Sequence, residues 1–199
     1  MNNIKFYINK YSHIESSDFD TSFIPMLMRR KLNILGKIGL YTLNGVYEQD
    51  NNYKLVFASS YGDVDRVSKL IEQRIDDGEI SPAGFSFSVH NATIGLFSLL
   101  KGIKSSYNSI SAGDNTIQNA LTESILLSID SPVLFCYAET LGGVKSVSIS
   151  ISQNNTGFEV EYVKKEKFDN LIDDYNKFID FLDGKSTFYE TGMYILKRS

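Results

Sequence analysis

Hydrophobic and polar positions change rhythm along the chain, and the changes mark out its elements. Ile4, Phe6 and Ile8 alternate with polar neighbours, which predicts a strand over residues 4–8. A polar stretch at 18–22 leads to Pro25, which suits the first turn of a helix. Met28, Leu32, Leu35 and Gly39 then fall at helical spacing over residues 26–47. Gly36, Gly39 and Gly45 each cost about 1 kcal/mol in a helix interior, and read as places where another element packs closely. Residues 49–53 form a polar turn, and residues 54–59 (KLVFAS) a short buried strand. Tyr61-Gly62-Asp63 reads as a turn and helix start, with Val64, Val67, Ile71 and Ile75 on one face and an end near Asp77-Gly78.

Residues 81–89, with Pro82 and Gly84, read as a loop. A helix follows over 90–103, closed by Gly102, and then a strand over 107–112. Asp114 stands where an N-cap belongs, ahead of a helix whose inner face is Ile117, Ala120, Leu121 and Ile125. Residues 132–138 (PVLFCYA) predict a further buried strand. Alternating strands at 146–152 and 158–164, joined by the turn-prone residues 153–157, predict a hairpin. Phe168, Leu171, Ile172, Tyr175, Ile179 and Leu182 make a helical stripe that ends at Gly184, and residues 187–196 a final strand. The order predicts an α/β layered fold. Residues 1–199 read as a single domain without internal repeat or linker.

Composition narrows the class. The chain has 199 residues, 42% of them hydrophobic and 22% charged, as in ordinary globular proteins. A net charge of −4 gives no reason to expect nucleic acid or an anionic membrane surface as a partner. The single Cys rules out an internal disulfide and fits a reducing compartment. Residues 1–20 are polar and carry acids, unlike a signal or transit peptide. No apolar run approaches the length of a membrane span. The expectation is a cytoplasmic protein.

Three segments carry a family likeness. LVFASSYGDVDR (55–66), SPAGFSFSVHNATIGLFSLLKG (81–102) and SAGDNTIQNALTES (111–124) resemble the β-ketoacyl synthase N-terminal-like family. MLMRRKLNILGKIGL (26–40) is similar to that family's Arg-rich first helix. The resemblance covers roughly residues 1–140, and SVHNA is its most specific part. Members are small proteins resembling the first half of a β-ketoacyl synthase, often associated with aryl polyene or flexirubin-type pigment clusters. The resemblance implies a thiolase-like half: a mixed sheet of about five strands with helices on both faces. Here the chain would add a C-terminal hairpin, helix and strand. It also implies dimerisation through an edge strand, which here holds Tyr107, Ser109, Ile110 and Ser111.

The resemblance also locates what is missing. A synthase needs a Cys at the N-terminus of a buried helix, where backbone N–H groups stabilise thiolate and oxyanion. It also needs two histidines from a second half that this chain lacks. Asp114 stands nearest the nucleophile's place, and as a carboxylate it is a poor acyl acceptor. The sole thiol, Cys136, lies inside PVLFCYA and reads as a small core residue. Chain-length factors show this pattern of a synthase fold with its Cys replaced. The resemblance therefore implies a non-catalytic subunit with a ketosynthase, an acyl carrier protein or both as partners, in a homo- or heterodimer, with no cofactor.

Other residues keep alternatives open. His90 begins a predicted helix and could act as a base or hydrogen-bond donor; equally it could fix the loop. Phe85, Phe87, Ser88 and Asn91 surround it in sequence as an acyl pocket or a structural loop. A small acyl-thioester hydrolase or acyltransferase centred on His90 is the competing function. Arg29, Arg30 and Lys31 could receive an acidic carrier, or form a solvated helix face. Two His and one Cys without ligand spacing give no metal site, and no glycine-rich phosphate motif is present.

Overall fold

The structure, a computed structural model, describes residues 4–49, 52–154 and 156–199. Its strands are β1 (Ile4–Ile14), β2 (Lys54–Ala58), β3 (Tyr107–Ile110), β4 (Val133–Glu139), β5 (Lys145–Ser152), β6 (Phe158–Lys164), β7 (Phe188–Glu190) and β8 (Tyr194–Arg198). Its helices are α1 (Met26–Arg29), α2 (Ile34–Val46), α3 (Val64–Asp77), α4 (Pro82–Ser86), α5 (Ala92–Lys101), α6 (Thr116–Leu127) and α7 (Tyr175–Leu182). Among the described residues the strands form one mixed sheet in the order β3-β2-β4-β5-β1-β6-β8-β7. The thiolase-like α/β class is as expected, with eight strands where about five were expected.

Side-chain alternation builds two layers on this sheet. Leu55, Phe57, Leu134, Cys136 and Ala138 face α2 and α5. Val56, Ala58, Val133, Phe135 and Tyr137 face α6 and α7. Every residue of β4 is buried, as a strand covered on both faces requires. The alternation of β5 is unusual because its polar half is buried too. Ser146, Ser148, Ser150 and Ser152 are all under 5% exposed. Thr42 of α2 places its Oγ1 2.8 Å from both the Ser146 and Ser148 hydroxyls. Small, locally satisfied hydroxyls let the helix sit close to the strand. Gly39 serves the same approach: a Cβ there would lie 3.2 Å from the Thr93 methyl.

Several sequence expectations are corrected. Strands β5 and β6 are not a hairpin, because β1 runs between them, antiparallel to both. The N-terminal half of β1 pairs with β6 and its C-terminal half with β5, with the register shifting between Ile8 and Lys10. The expected strand over 4–8 is therefore only the first part of an 11-residue strand. The helix expected over 26–47 breaks after Arg29, because Asn33 accepts from Gly36 N and caps a new helix. The loop at 81–89 contains α4, capped by Ser81. The stripe from Phe168 becomes helical only at Tyr175. Ahead of it, Asp169 N donates to Gly192 O and Asp173 N to Asp114 O, which uses groups a helix would need. The last segment is two antiparallel strands, β7 and β8. The expected turns at 49–53 and 153–157 include Asp50, Asn51 and Asn155, which lie outside the described residues.

Passage over β1 is tight at Gly157, where a Cβ would stand 2.0 Å from the Ile8 carbonyl oxygen. Backbone cannot yield as a flexible side chain can. Gly157→Ala is expected to destabilise the protein by roughly 2–4 kcal/mol, read as a lower urea midpoint.

Candidate functional site

The parallel strands β3, β2 and β4 end on one side of the sheet, the side where α/β folds place their sites. A carboxylate organises that end. Glu139, 2% exposed at the close of β4, accepts from Ser59 Oγ at 3.1 Å, Ser60 N at 3.0 Å and Tyr61 N at 3.1 Å. Its other oxygen accepts from the backbone N–H groups of Thr140 and Leu141. Ser59 Oγ in turn accepts from Gly62 N at 2.8 Å. The turn after β2 is thereby fixed, and Asp63 follows it as the N-cap of α3, accepting from Arg66 N. A buried acid fully occupied by donors is a structural clamp.

A cavity of about 180 Å³ opens beside this clamp, lined in part by Asp114, Tyr137, Lys145, Ile172, Asp173 and Tyr175. One wall is the N-terminus of α6. Asp114 does not cap that helix; it lies exposed in a single 3-10 turn, Gly113–Asn115. The carboxylate that meets the helix is Asp173, from the segment before α7. Its Oδ2 accepts from Gln118 N at 2.9 Å, and its backbone N–H donates to the Asp114 carbonyl at 3.0 Å. Burial raises the Asp173 pKa to about 6. The N–H groups of Gln118 and Ile117 pull the other way, and Asp114 adds to the rise. Burial also pushes Tyr137 up to about 12, and raises Tyr175, whose hydroxyl donates to Ser146 O.

The remaining candidates lie apart from this cavity. His90 places Nε2 2.9 Å from the Ser59 carbonyl oxygen and packs its ring 5.7 Å from that of Phe57. Asn91 occupies the N-cap position of α5 without a side-chain capping bond. Phe87 has Lys31 Nζ at 5.6 Å and the Arg66 guanidinium at 5.9 Å from its ring centre. Phe85 and Ser88 face α3 across a separate groove. Cys136 is fully buried in mid-strand, with Sγ 3.8 Å from Gly39 O, and burial pushes its thiol up. Tyr107, Ser109 and Ile110 belong to β3, which pairs with β2 and ends the sheet. Ser111 lies just beyond and donates to Ser60 O at 2.9 Å.

The sequence reading missed Glu139 and Asp173. An acid closing the apolar run of β4 was the available signal for the first. The Asp-Asp pair ahead of Tyr175 was a capping signal for the second. Among the described residues, no cluster of His, Cys, Asp or Glu is gathered for a metal, and no helix is long and apolar enough to cross a membrane.

Residues 7–141 match the profile of the β-ketoacyl synthase N-terminal domain. The fold is similar to that of a chain in the complex of the ketosynthase ApeO with its chain length factor ApeC from Xenorhabdus doucetiae. That match has a TM-score of 0.76 at 16% identity, and covers 98% of this chain and 100% of the other. A type II polyketide acyl-carrier protein in complex with its ketosynthase, AntDE:AntF, gives a TM-score of 0.69 at 11% identity over 84% of this chain and 70% of that one. The ishigamide ketosynthase/chain length factor gives 0.60 at 13% identity over 71% of this chain and 51% of that one. Identities this low carry the fold alone. No curated protein sequence matches the chain.

Asp173 generates a pH prediction. Its folded pKa lies above its ordinary value, so the folded state holds the proton more tightly than the unfolded state. Its contribution therefore favours folding at low pH and is lost as pH rises from about 4 through 6. Asp173→Asn keeps an acceptor for the helix and removes the titration. Thermal midpoints of the two proteins measured between pH 4 and 8 should show the wild type losing ground to the variant across that window.

Proposed function

The chain belongs to the β-ketoacyl synthase N-terminal domain family, and we propose that it is a non-catalytic ketosynthase-like subunit of the chain-length-factor kind. In this reading residues 1–199 act as one domain. They pair with a ketosynthase and cooperate with an acyl carrier protein in a cytoplasmic fatty-acid or polyketide-type pathway, the aryl polyene class being the specific proposal.

The observation that carries the proposal is the occupied N-terminus of α6. The resemblance assigns the nucleophile to the Asp114 position. There the helix N–H groups that a synthase keeps for thiolate and oxyanion bind Asp173 instead. An internal anion at that place leaves the helix dipole satisfied and blocks a second anion by like charge. The buried position of Cys136 supports the same reading. The engagement of His90 by the Ser59 carbonyl supports a structural role over a small hydrolase centred on it. Among the described residues β3 ends the sheet, and its outer edge supports Tyr107, Ser109, Ile110 and Ser111 as the pairing segment.

Co-expression with the ketosynthase and acyl carrier protein encoded beside it tests the proposal through complex mass by size exclusion with light scattering. A stoichiometric complex with the ketosynthase is expected. Tyr107→Glu should weaken it at least tenfold with the fold intact. A monomer indifferent to both proteins, or acyl-thioester turnover by the chain alone that is lost in His90→Ala, overturns the proposal.

A further inference from the structure

Between β6 and α7 the chain runs as a strap without helix or strand, residues 165–174. Its two halves are held differently. In the first half, Lys165 N donates to Met193 O at 3.0 Å and Asp169 N to Gly192 O at 3.1 Å. Lys165 Nζ reaches Asp169 Oδ2 at 2.7 Å and Glu190 Oε1 at 2.8 Å. A Cβ at Gly192 would stand 2.7 Å from the Asp169 carbonyl oxygen, so the two backbones touch. This half is fastened to β7 and to the turn that leads into β8.

The second half, residues 170–173, crosses the cavity beside the Glu139 clamp, and Ile172 and Asp173 form part of its wall. Residues 166–172 are exposed, Ile172 by 58% although it lines the cavity. Among the described residues, the hydrogen bonds that join this half to other elements are all made by Asp173. Its N–H donates to Asp114 O, and its carboxylate meets the first N–H groups of α6. Beyond it Asp174 caps α7 and Tyr175 is buried. A short segment with two firm ends, one latch and little burial belongs to the part of a fold that opens first.

We propose that residues 170–173 are a lid over this cavity, hinged at Asp169 and Asp174 and held shut by Asp173 on the start of α6. The lid is a property of the chain alone and does not depend on pairing with a ketosynthase. Its latch responds to pH. Asp173 Oδ1 is buried and, among the described residues, has no hydrogen-bond partner. The groups around the carboxyl are Asp114 from the 3-10 turn, Tyr137 from β4, Tyr189 from β7 and Tyr194 from β8. Asp174 is its chain neighbour, and Lys145 of β5 lines the same cavity with Nζ 5.2 Å from the centre of the Tyr175 ring. In the open state the carboxyl stands in water and titrates at its ordinary value; in the closed state burial holds its proton up to about 6. Closure is therefore strongest at low pH and loses ground as pH rises from about 4 through 6.

Amide hydrogen exchange on the whole chain, corrected for the intrinsic effect of pH, tests the lid. The Asp173 and Gln118 amides report the latch, and the Phe135 amide in mid-β4 reports global opening. The latch amides should be protected at least tenfold less than Phe135, and their protection should fall about tenfold between pH 5 and pH 7.5. Asp173→Asn, which keeps an acceptor, should flatten that fall. Access to the cavity gives a second readout, because Ser60 lines it. The thiol introduced by Ser60→Cys should react with iodoacetamide at least tenfold faster at one pH when Asp173→Ala is added, with Cys136 silent in its buried position. Thermal midpoints check that each variant is folded. Latch amides that exchange in step with Phe135, a pH profile that Asp173→Asn leaves unchanged, or equal labelling with and without Asp173→Ala overturns the lid.

Discussion

The sheet depends on the placement of β1. This strand comes first in the chain and lies fifth in the sheet, joined to β5 on one side and β6 on the other. The β6-β8-β7 wing joins the sheet through the ladder of β1, while α7 reaches across to β4 and β5 through Phe178 against Phe135 and Tyr175 on the Ser146 carbonyl. Its inward residues Phe6 and Ile8 are 1% exposed and belong to the same core as Phe135, Phe178 and Phe181. Pairing partners about 150 residues apart must meet before that core closes, so the loop entropy is large and only extensive burial offsets it.

This also explains which parts of the fold were legible. Strands β2 and β4 announced themselves as short apolar runs, because burial on both faces leaves no polar alternation. The helix over Ile117, Ala120, Leu121 and Ile125 was legible because its packing is regular. The hairpin expectation failed because sequence adjacency and spatial adjacency diverge: β5 and β6 follow one another in the chain but lie on either side of β1. Phe168, Leu171 and Ile172 mimicked a helical period by chance of spacing, while long-range backbone bonds to Gly192 and Asp114 decided their conformation. Nothing local encodes such partners.

The site follows the same division. The resemblance located the end of the sheet and the start of α6, and the structure puts a cavity there. The residue that satisfies the helix, however, lies 59 positions downstream of the one that stands at its threshold. Asp114 was a reasonable cap by position, but an exposed 3-10 turn carries it away from the N–H groups. Glu139 belongs to a third segment and clamps the β2 turn through contacts that only the assembled sheet brings together. A one-dimensional pattern records which residue types are present, and the third dimension chooses which carboxylate meets which donor.

The burial of Cys136 has a practical side. As the only sulfhydryl in the chain, sealed among Thr42, Gly39 and Ser146 at the centre of the sheet, it can meet an alkylating reagent only when the sheet opens. Its rate of labelling is thus a built-in clock for global opening. Iodoacetamide applied to the folded chain would leave it blank, and labelling under increasing denaturant would report how often the sheet opens.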